Sequence, residues 1–371
     1  MLDKIVEEYG AEVYYETPAV ELIAENGVVT GVKAEGKDGT IYNIKAKSVI
    51  LATGGFVGNS DMVKEALNGV SVNASGYNTN VGDGINMALE LGAATRSMEA
   101  MVLHTFSIEG GSEVKGEYDF MDRYLATNSL AYMPIVPWLD AQGFRYANEE
   151  IVYDRALSTN ALVAQGNYAW FIYNEELLNI LENEGAAAAG MKESIAMGPM
   201  PDITPLHRGW NKLTEIVGQM VENGHVKKAD TLDELAKETG MDPEILKATM
   251  AKYNEDARNK VDTLFGKDGD LMFEMSSGPY YAFKVTANNL CTVGGVRINA
   301  NFQVVLNDPE NGYTPIKNLY AAGADAGGLY SDHYAHTIEG AAQGWAYNSG
   351  RLAGARATEN ALGIKIDLFK E

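Results

Sequence analysis

Lys45-Ala46-Lys47-Ser48-Val49-Ile50-Leu51-Ala52-Thr53-Gly54-Gly55-Phe56 is the stretch whose reading decides the fold. Its centre is almost continuously apolar. A strand with one wet face alternates apolar with polar, so 48–52 predicts a strand buried on both faces of a parallel sheet. The run stops at Thr53-Gly54-Gly55, and glycine lets main chain approach a ligand with no Cβ in the way. Leu319-Tyr320-Ala321-Ala322 repeats the pattern: short, apolar, ended by Gly323, with Gly327-Gly328 just beyond. Nucleotides usually sit past the C-terminal ends of parallel strands. Two such ends predict a cofactor edge. Taken singly, each set of glycines reads more simply as a tight turn.

Outward from there, residues 11–46 alternate in the β manner. Strands are expected at 12–16, 20–25, 28–35 and 40–46, with Asn26-Gly27 and Asp38-Gly39 as hairpin turns. Asn59 or Ser60 caps a helix to about residue 67, and Asp83-Gly84 opens another. Residues 130–146 read as irregular β, and 174–260 as mainly helical. There Thr231-Leu232-Asp233-Glu234 has capping-box spacing and Asp242-Pro243 is an N-cap and N1 pair. From Tyr280 the chain turns β again, with a hairpin at 296–298 and 303–306. A last helix, 338–359, is rich in Ala and Gly. A β-rich domain interrupted by a helical middle explains this order.

Composition narrows the function. Lys+Arg is 29 and Asp+Glu is 51 in 371 residues, a net charge of −22. So acidic a surface repels phosphate backbones and anionic lipid, which argues against nucleic-acid or membrane-surface binding. The single cysteine, Cys291, excludes an intrachain disulfide and a CxxC-type site. No apolar run reaches the roughly 18 residues a membrane span needs. The five histidines form no HxxxH or HExxH pair, and His333 with His336 lacks an obvious third ligand, so no metal site is expected. Asp83 at a helix start reads as a plain N-cap, or as part of a helix N-terminus aimed at an anion. Arg155 by composition alone is a solvated surface charge.

Four stretches together resemble the fumarate reductase/succinate dehydrogenase flavoprotein family, the FAD-dependent oxidoreductase 2 family. The first is residues 45–56 with Gly58-Asn59. The second runs from Gly82-Asp83-Gly84-Ile85 to Leu91-Gly92-Ala93-Ala94. The third is Gly143-Phe144-Arg145-Tyr146-Ala147-Asn148-Glu149, leading to Arg155 and Ala164-Gln165. The fourth begins at Pro279-Tyr280-Tyr281-Ala282, passes Gly294-Gly295 and 319–323, and ends at Gly350-Arg351-Leu352-Ala353-Gly354.

The resemblance implies an α/β plus α+β fold. A Rossmann-like, glutathione-reductase-type FAD-binding domain (1–100 and 279–371) would be interrupted by a fumarate-reductase-type capping domain (101–278), with the active site between them. It implies non-covalent FAD facing Ala52, Thr53, Gly54, Gly55, Asp83, Gly323, Asp325, Gly327 and Gly328. It also implies reduction of a polarised C=C bond, with hydride from flavin N5 and a proton from Arg155. Glu149, Glu150 and Asp154 are its relay candidates. His104 falls on a substrate-binding histidine, and His333, Tyr334 and His336 occupy a loop that reads substrate.

Departures from the family pattern shape the expectation. Cys291 stands at a histidine position and Thr337 at that of a carboxylate-clamping arginine, which argues against fumarate and for another unsaturated acid or an enone. The family's Glu after Ala-Ala-Gly is Ala324, with Asp325 next. No GxGxxG segment is found, so the FAD-binding domain is expected to be truncated, with FAD absent or a partner chain completing it. Two alternatives follow: a non-catalytic remnant or subunit that binds no FAD alone, and a flavin dehydrogenase working in the oxidising direction. The partners expected are a small-molecule substrate and an electron donor of unknown kind. The cytoplasm is the default location, an export signal having its place in the missing part.

Overall fold

The computed structural model describes residues 6, 8–76, 78–195, 202–334, 338 and 340–368, with the backbone alone for His104. The chain divides into two compact units. One comprises Met1–Met62, Gly76–Met101 and Cys291–Glu371, the other Val63–Ser75 and Val102–Leu290. These boundaries differ from those expected at 100 and 278. Most of the strand Tyr280–Thr292 pairs within the second unit, and the strand Asn73–Ala74 joins it there in parallel.

The first unit carries a six-stranded sheet. Ala19–Glu25 and Val28–Glu35 form an antiparallel hairpin closed by Asn26 (φ 50°) and Gly27 (φ 76°), the two positive φ angles that a type I′ turn requires. Ile41–Lys45 adds to it antiparallel. Pro315–Ala321 bridges the hairpin in parallel at Lys317 and Val28, and pairs in parallel with Val49–Leu51 through Leu319–Val49, Tyr320–Ile50 and Ala321–Leu51. The helix Ala341–Leu362 starts three residues later than expected, between left-handed glycines at 340 and 363. Its Ala353 and Ala357, one turn apart, pack on Phe302, Tyr320 and Ala322. Methyl-sized side chains let this helix approach the sheet closely.

Several expectations need correction here. Residues 12–16 form no strand; Val13, Tyr14 and Tyr15 are exposed, so alternation there has no core to serve. Leu319, Tyr320 and Ala321 are buried, but Ile50 is 38% exposed, so Val49–Leu51 is not covered on both faces. Apolar identity offers burial without specifying a neighbour that supplies it. The 296–298 and 303–306 hairpin keeps one bridge, Ile298–Val304. Its arms part company: Gln303–Val305 joins the large sheet, and Gly295–Arg297 joins Thr95–Arg96 and Ala326–Gly327 in a small one.

The second unit is not simply helical. Its spine is Tyr280–Thr292, flanked by Val226–Ala229 and Ala169–Asn174, both antiparallel. All six residues of Ala169–Asn174 are buried, so it lacks the alternation that would have revealed it. Trp138 and Phe171 stack at 4.5 Å, and Tyr173 meets Phe283 edge-on at 5.1 Å. The predicted caps are present. Thr231 and Glu234 exchange both capping-box hydrogen bonds, and Asp242 caps Pro243–Asn259.

A buried ion cluster ties this unit together. Arg145 forks onto Glu149 (Nε–Oε1 2.9 Å, Nη2–Oε2 2.7 Å) and onto Asp262 (Nη1–Oδ1 2.9 Å, Nη2–Oδ2 3.0 Å). Lys267 Nζ lies 2.9 Å from Glu149 and donates to the Pro134 carbonyl at 2.9 Å. Two cations balance two carboxylates, and the rings of Tyr253 and Phe265 flank the guanidinium. Burial alone would raise the Asp262 pKa, but Arg145 outweighs it and holds the carboxyl well below the usual range. Glu149→Gln, which leaves two buried cations, Arg145 and Lys267, with one carboxylate between them, should cost about 3–5 kcal/mol in a denaturant titration. Because the Asp262 pKa is depressed, its contribution is present at neutral pH and fades as pH falls below about 4. Asp262→Asn should therefore lose less stability on acidification than the wild type.

Candidate active site

Both glycine-ended strands finish at one edge. Ala321 pairs with Leu51, and the Ala322 amide donates to the Leu51 carbonyl at 3.0 Å. Ala52-Thr53-Gly54 and Ala322-Gly323 therefore leave the sheet side by side. Ala52 and Thr53 are exposed; Gly54, Gly323 and Gly328 are half-buried. A Cβ added at Gly323 (φ +64°) would find nothing nearer than Ala346 Cβ at 3.9 Å, so that position borders open space. Gly55 and Gly327 serve packing. A Cβ on Gly55 would lie 2.2 Å from Thr292 Oγ1, and one on Gly327 2.2 Å from the Arg96 carbonyl.

Asp325 was expected to face a cofactor. It turns inward instead, with no exposed surface. Its carboxylate accepts from the Thr53 and Gly55 amides, the latter at 2.9 Å, and from the Thr53 hydroxyl at 3.0 Å. Burial raises its pKa against the pull of those bonds. The Thr53 hydroxyl in turn accepts from the Gly84 amide at 3.1 Å, which fixes the start of the helix Asp83–Glu90. Gly82 is that helix's N-cap, so Asp83 is its first helical residue, exposed at the positive end of the helix dipole. Asn80 Nδ2 donates to the Gly54 carbonyl at 3.0 Å, and Thr292 Oγ1 accepts from the Phe56 amide at 3.0 Å. Sequence reading missed Asn80 and Thr292, because no local pattern links residues so far apart in the chain.

In the second unit Arg155 opens the helix Arg155–Ala164, capped by Asp154, whose Oδ1 accepts from the Leu157 amide at 3.0 Å. Thr159, one turn on, bonds the Leu103 carbonyl through its hydroxyl. This ties the helix to the strand Met101–Ile108 one residue before His104. Burial raises the pKa of the Tyr124 and Tyr132 phenols, and the Arg155 charge opposes that rise in both. Neither tyrosine had been singled out. Glu149 belongs to the ion cluster, and Glu150 Oε2 accepts from the Asp268 amide at 2.8 Å. The His104 side chain, His336 and Thr337 lie outside the described residues.

Burial pushes the Cys291 thiol up to about 11 and, with help from Tyr334 and Cys291, the Tyr330 phenol up to about 12. Tyr330 and Tyr334 sit with ring centroids 5.0 Å apart. The Tyr330 hydroxyl is buried and finds no hydrogen-bond partner among the described residues. His333 is half-exposed, its Nδ1 2.7 Å from Asp332 Oδ1.

The FAD binding domain family model matches residues 1–337. The chain belongs to this flavoprotein family. A vinyl phenol reductase of Lactiplantibacillus plantarum is 28% identical over 361 residues, covering 94% of this chain and 68% of that protein. A probable fumarate reductase of Shewanella frigidimarina is 29% identical over 364 residues, covering 97% and 53%. The crystal structure of a 3-ketosteroid Δ1-dehydrogenase from Sterolibacterium denitrificans shares the fold, with a TM-score of 0.62 at 22% identity over 98% of this chain and 62% of that one. The flavoprotein chain spans 53% to 68% of the length of these proteins.

The rim fits FAD on structural grounds: exposed residues at 52 and 53, open space at Gly323, and a helix N-terminus beside them. Gly55→Ala, at φ +78° and 2.2 Å from Thr292 Oγ1, adds the clash to the left-handed backbone penalty and should lose about 2–5 kcal/mol of stability. Gly323→Ala should lose only about 1–2 kcal/mol, the left-handed backbone penalty, yet weaken FAD binding by filling the open position. Thermal melting and flavin-fluorescence titration of the two variants separate these effects.

Proposed function

We propose that this flavoprotein reduces a polarised C=C bond of an unsaturated organic acid or enone, with Arg155 delivering the proton. When bound and reduced by an external electron donor, FAD would supply the hydride. The observation that carries the reading is the placement of Arg155 at a helix N-terminus, on a helix tied to the strand of His104, where its charge acts on the half-buried Tyr124 and the buried Tyr132 phenols. The guanidinium and the positive end of the helix dipole act in the same sense on negative charge developing at a substrate carbon.

An arginine that gives up a proton needs a carboxylate to restore it. Both oxygens of Glu149 are engaged by Arg145, and Lys267 adds to one of them, so Asp154 and Glu150 are the relay groups we favour. His104, His333, Tyr334 and His336 orient the substrate. Residues 323–334 hold no lysine or arginine, and Cys291 is a neutral thiol. Arg96, whose side chain packs along Gly328, is the cation we place nearest this loop. One cation suits a monocarboxylate or a neutral enone better than a dicarboxylate such as fumarate. The relative named for vinyl phenol, a neutral alkene without a carboxylate, supports a substrate other than a dicarboxylate.

Purified protein should be yellow. Arg155→Ala should keep its flavin and lose at least about 100-fold in the rate at which substrate reoxidises the reduced flavin, followed by stopped-flow absorbance. Undiminished reoxidation in that variant removes Arg155 from the chemistry.

A further inference from the structure

One buried carboxylate holds the 53–55 turn of the glycine rim. A concavity lined by successive amides ordinarily attracts an anion from solution. At 53–55 the anion is built in: Asp325 takes the Thr53 and Gly55 amides and the Thr53 hydroxyl. Gly54 (φ 96°) and Gly55 (φ 78°) are left-handed in succession, a turn open to glycine and disfavoured for other residues. Thr53 passes the constraint on to Gly84 and so to the first turn of the helix Asp83–Glu90. Asp325 itself has little freedom to shift. A Cβ on Gly295 would lie 2.2 Å from the Asp325 carbonyl, so the strand Gly295–Arg297 packs closely against its main chain.

From this geometry we infer that Asp325 is a positioning residue for FAD: it shapes the 53–55 turn and the adjoining helix start that receive the cofactor, and does not touch the cofactor itself. The inference rests on the flavin reading above. It accounts for an aspartate whose oxygens all point away from solvent at the mouth of a ligand edge. Asparagine at 325 would be nearly isosteric but would turn an NH2 group toward one of the two amides that the carboxylate now accepts.

The test compares wild type with Asp325→Asn in the 371-residue chain. Amide hydrogen exchange is read across 49–57 and 82–86, and FAD affinity by flavin-fluorescence titration. Exchange at Thr53 and Gly55 should quicken at least tenfold in the variant while the second unit is unchanged, and FAD should bind at least tenfold more weakly. Unchanged exchange at 53–55 overturns the inference, as does faster exchange with unaltered FAD affinity. Wild type that binds FAD normally beside a variant that also does sinks the positioning role alone. Wild type that takes up no FAD sinks the flavin reading and this inference with it. Should Asp325→Asn not fold, Thr53→Val removes the hydroxyl link and leaves Asp325 in place. It is expected to speed exchange at Gly84 and weaken FAD binding, and no change in either overturns the inference.

Discussion

The first unit depends on a carboxylate that never meets solvent. Parallel pairing of Val49–Leu51 with Pro315–Ala321 brings two strand ends together, but pairing alone leaves the loops beyond them undefined. Asp325, from the loop after one strand, fills the hydrogen-bonding capacity of the loop after the other. Leaving those amides unpaired inside the protein would cost about 1–3 kcal/mol each, so the contact is strongly specified. Burial of the carboxylate is unfavourable in itself and is offset by the several donors it gathers.

The second unit solves a similar problem with charges of both signs. Arg145 and Lys267 with Glu149 and Asp262 form a closed neutral set, each cation hydrogen-bonded to a carboxylate. Such a cluster adds little net stability compared with a packed apolar core, but tolerates no missing member. Its place in the chain matters more than its energy. Glu149 begins the 3-10 turn Glu149–Tyr153, which leads directly through Asp154 into the helix headed by Arg155. A residue that reads in sequence as a candidate relay acid is, in space, an anchor just upstream of the proposed proton donor.

Much of the site was legible because its signals are local. Apolar runs ended by glycine at 54–55 and 323 marked two strand ends that lie side by side, the Asn26-Gly27 turn marked a hairpin, and the caps at 231–234 and 242–243 marked two helices. Each rests on backbone conformations or hydrogen bonds within a few residues, which residue type controls directly. Arg155 was found by resemblance rather than by physics, since an isolated arginine has no periodic signature.

Sequence by itself determined the class of the chain, its acidity, its flavin-type motifs and the residue types available to its chemistry. Only the tertiary structure decided the direction of Asp325, the partners of Glu149, the burial of Ala169–Asn174 and the half-open face at Ile50. The reason is one of range. An acid at position 325 is equally an acid facing ligand or facing inward until a turn some 270 residues earlier in the chain presents its amides. An all-apolar strand likewise looks the same whether both faces are covered or one is left bare. Hydrogen bonds and cover that come from distant chain are set by packing, and packing is not written in any short window of residues.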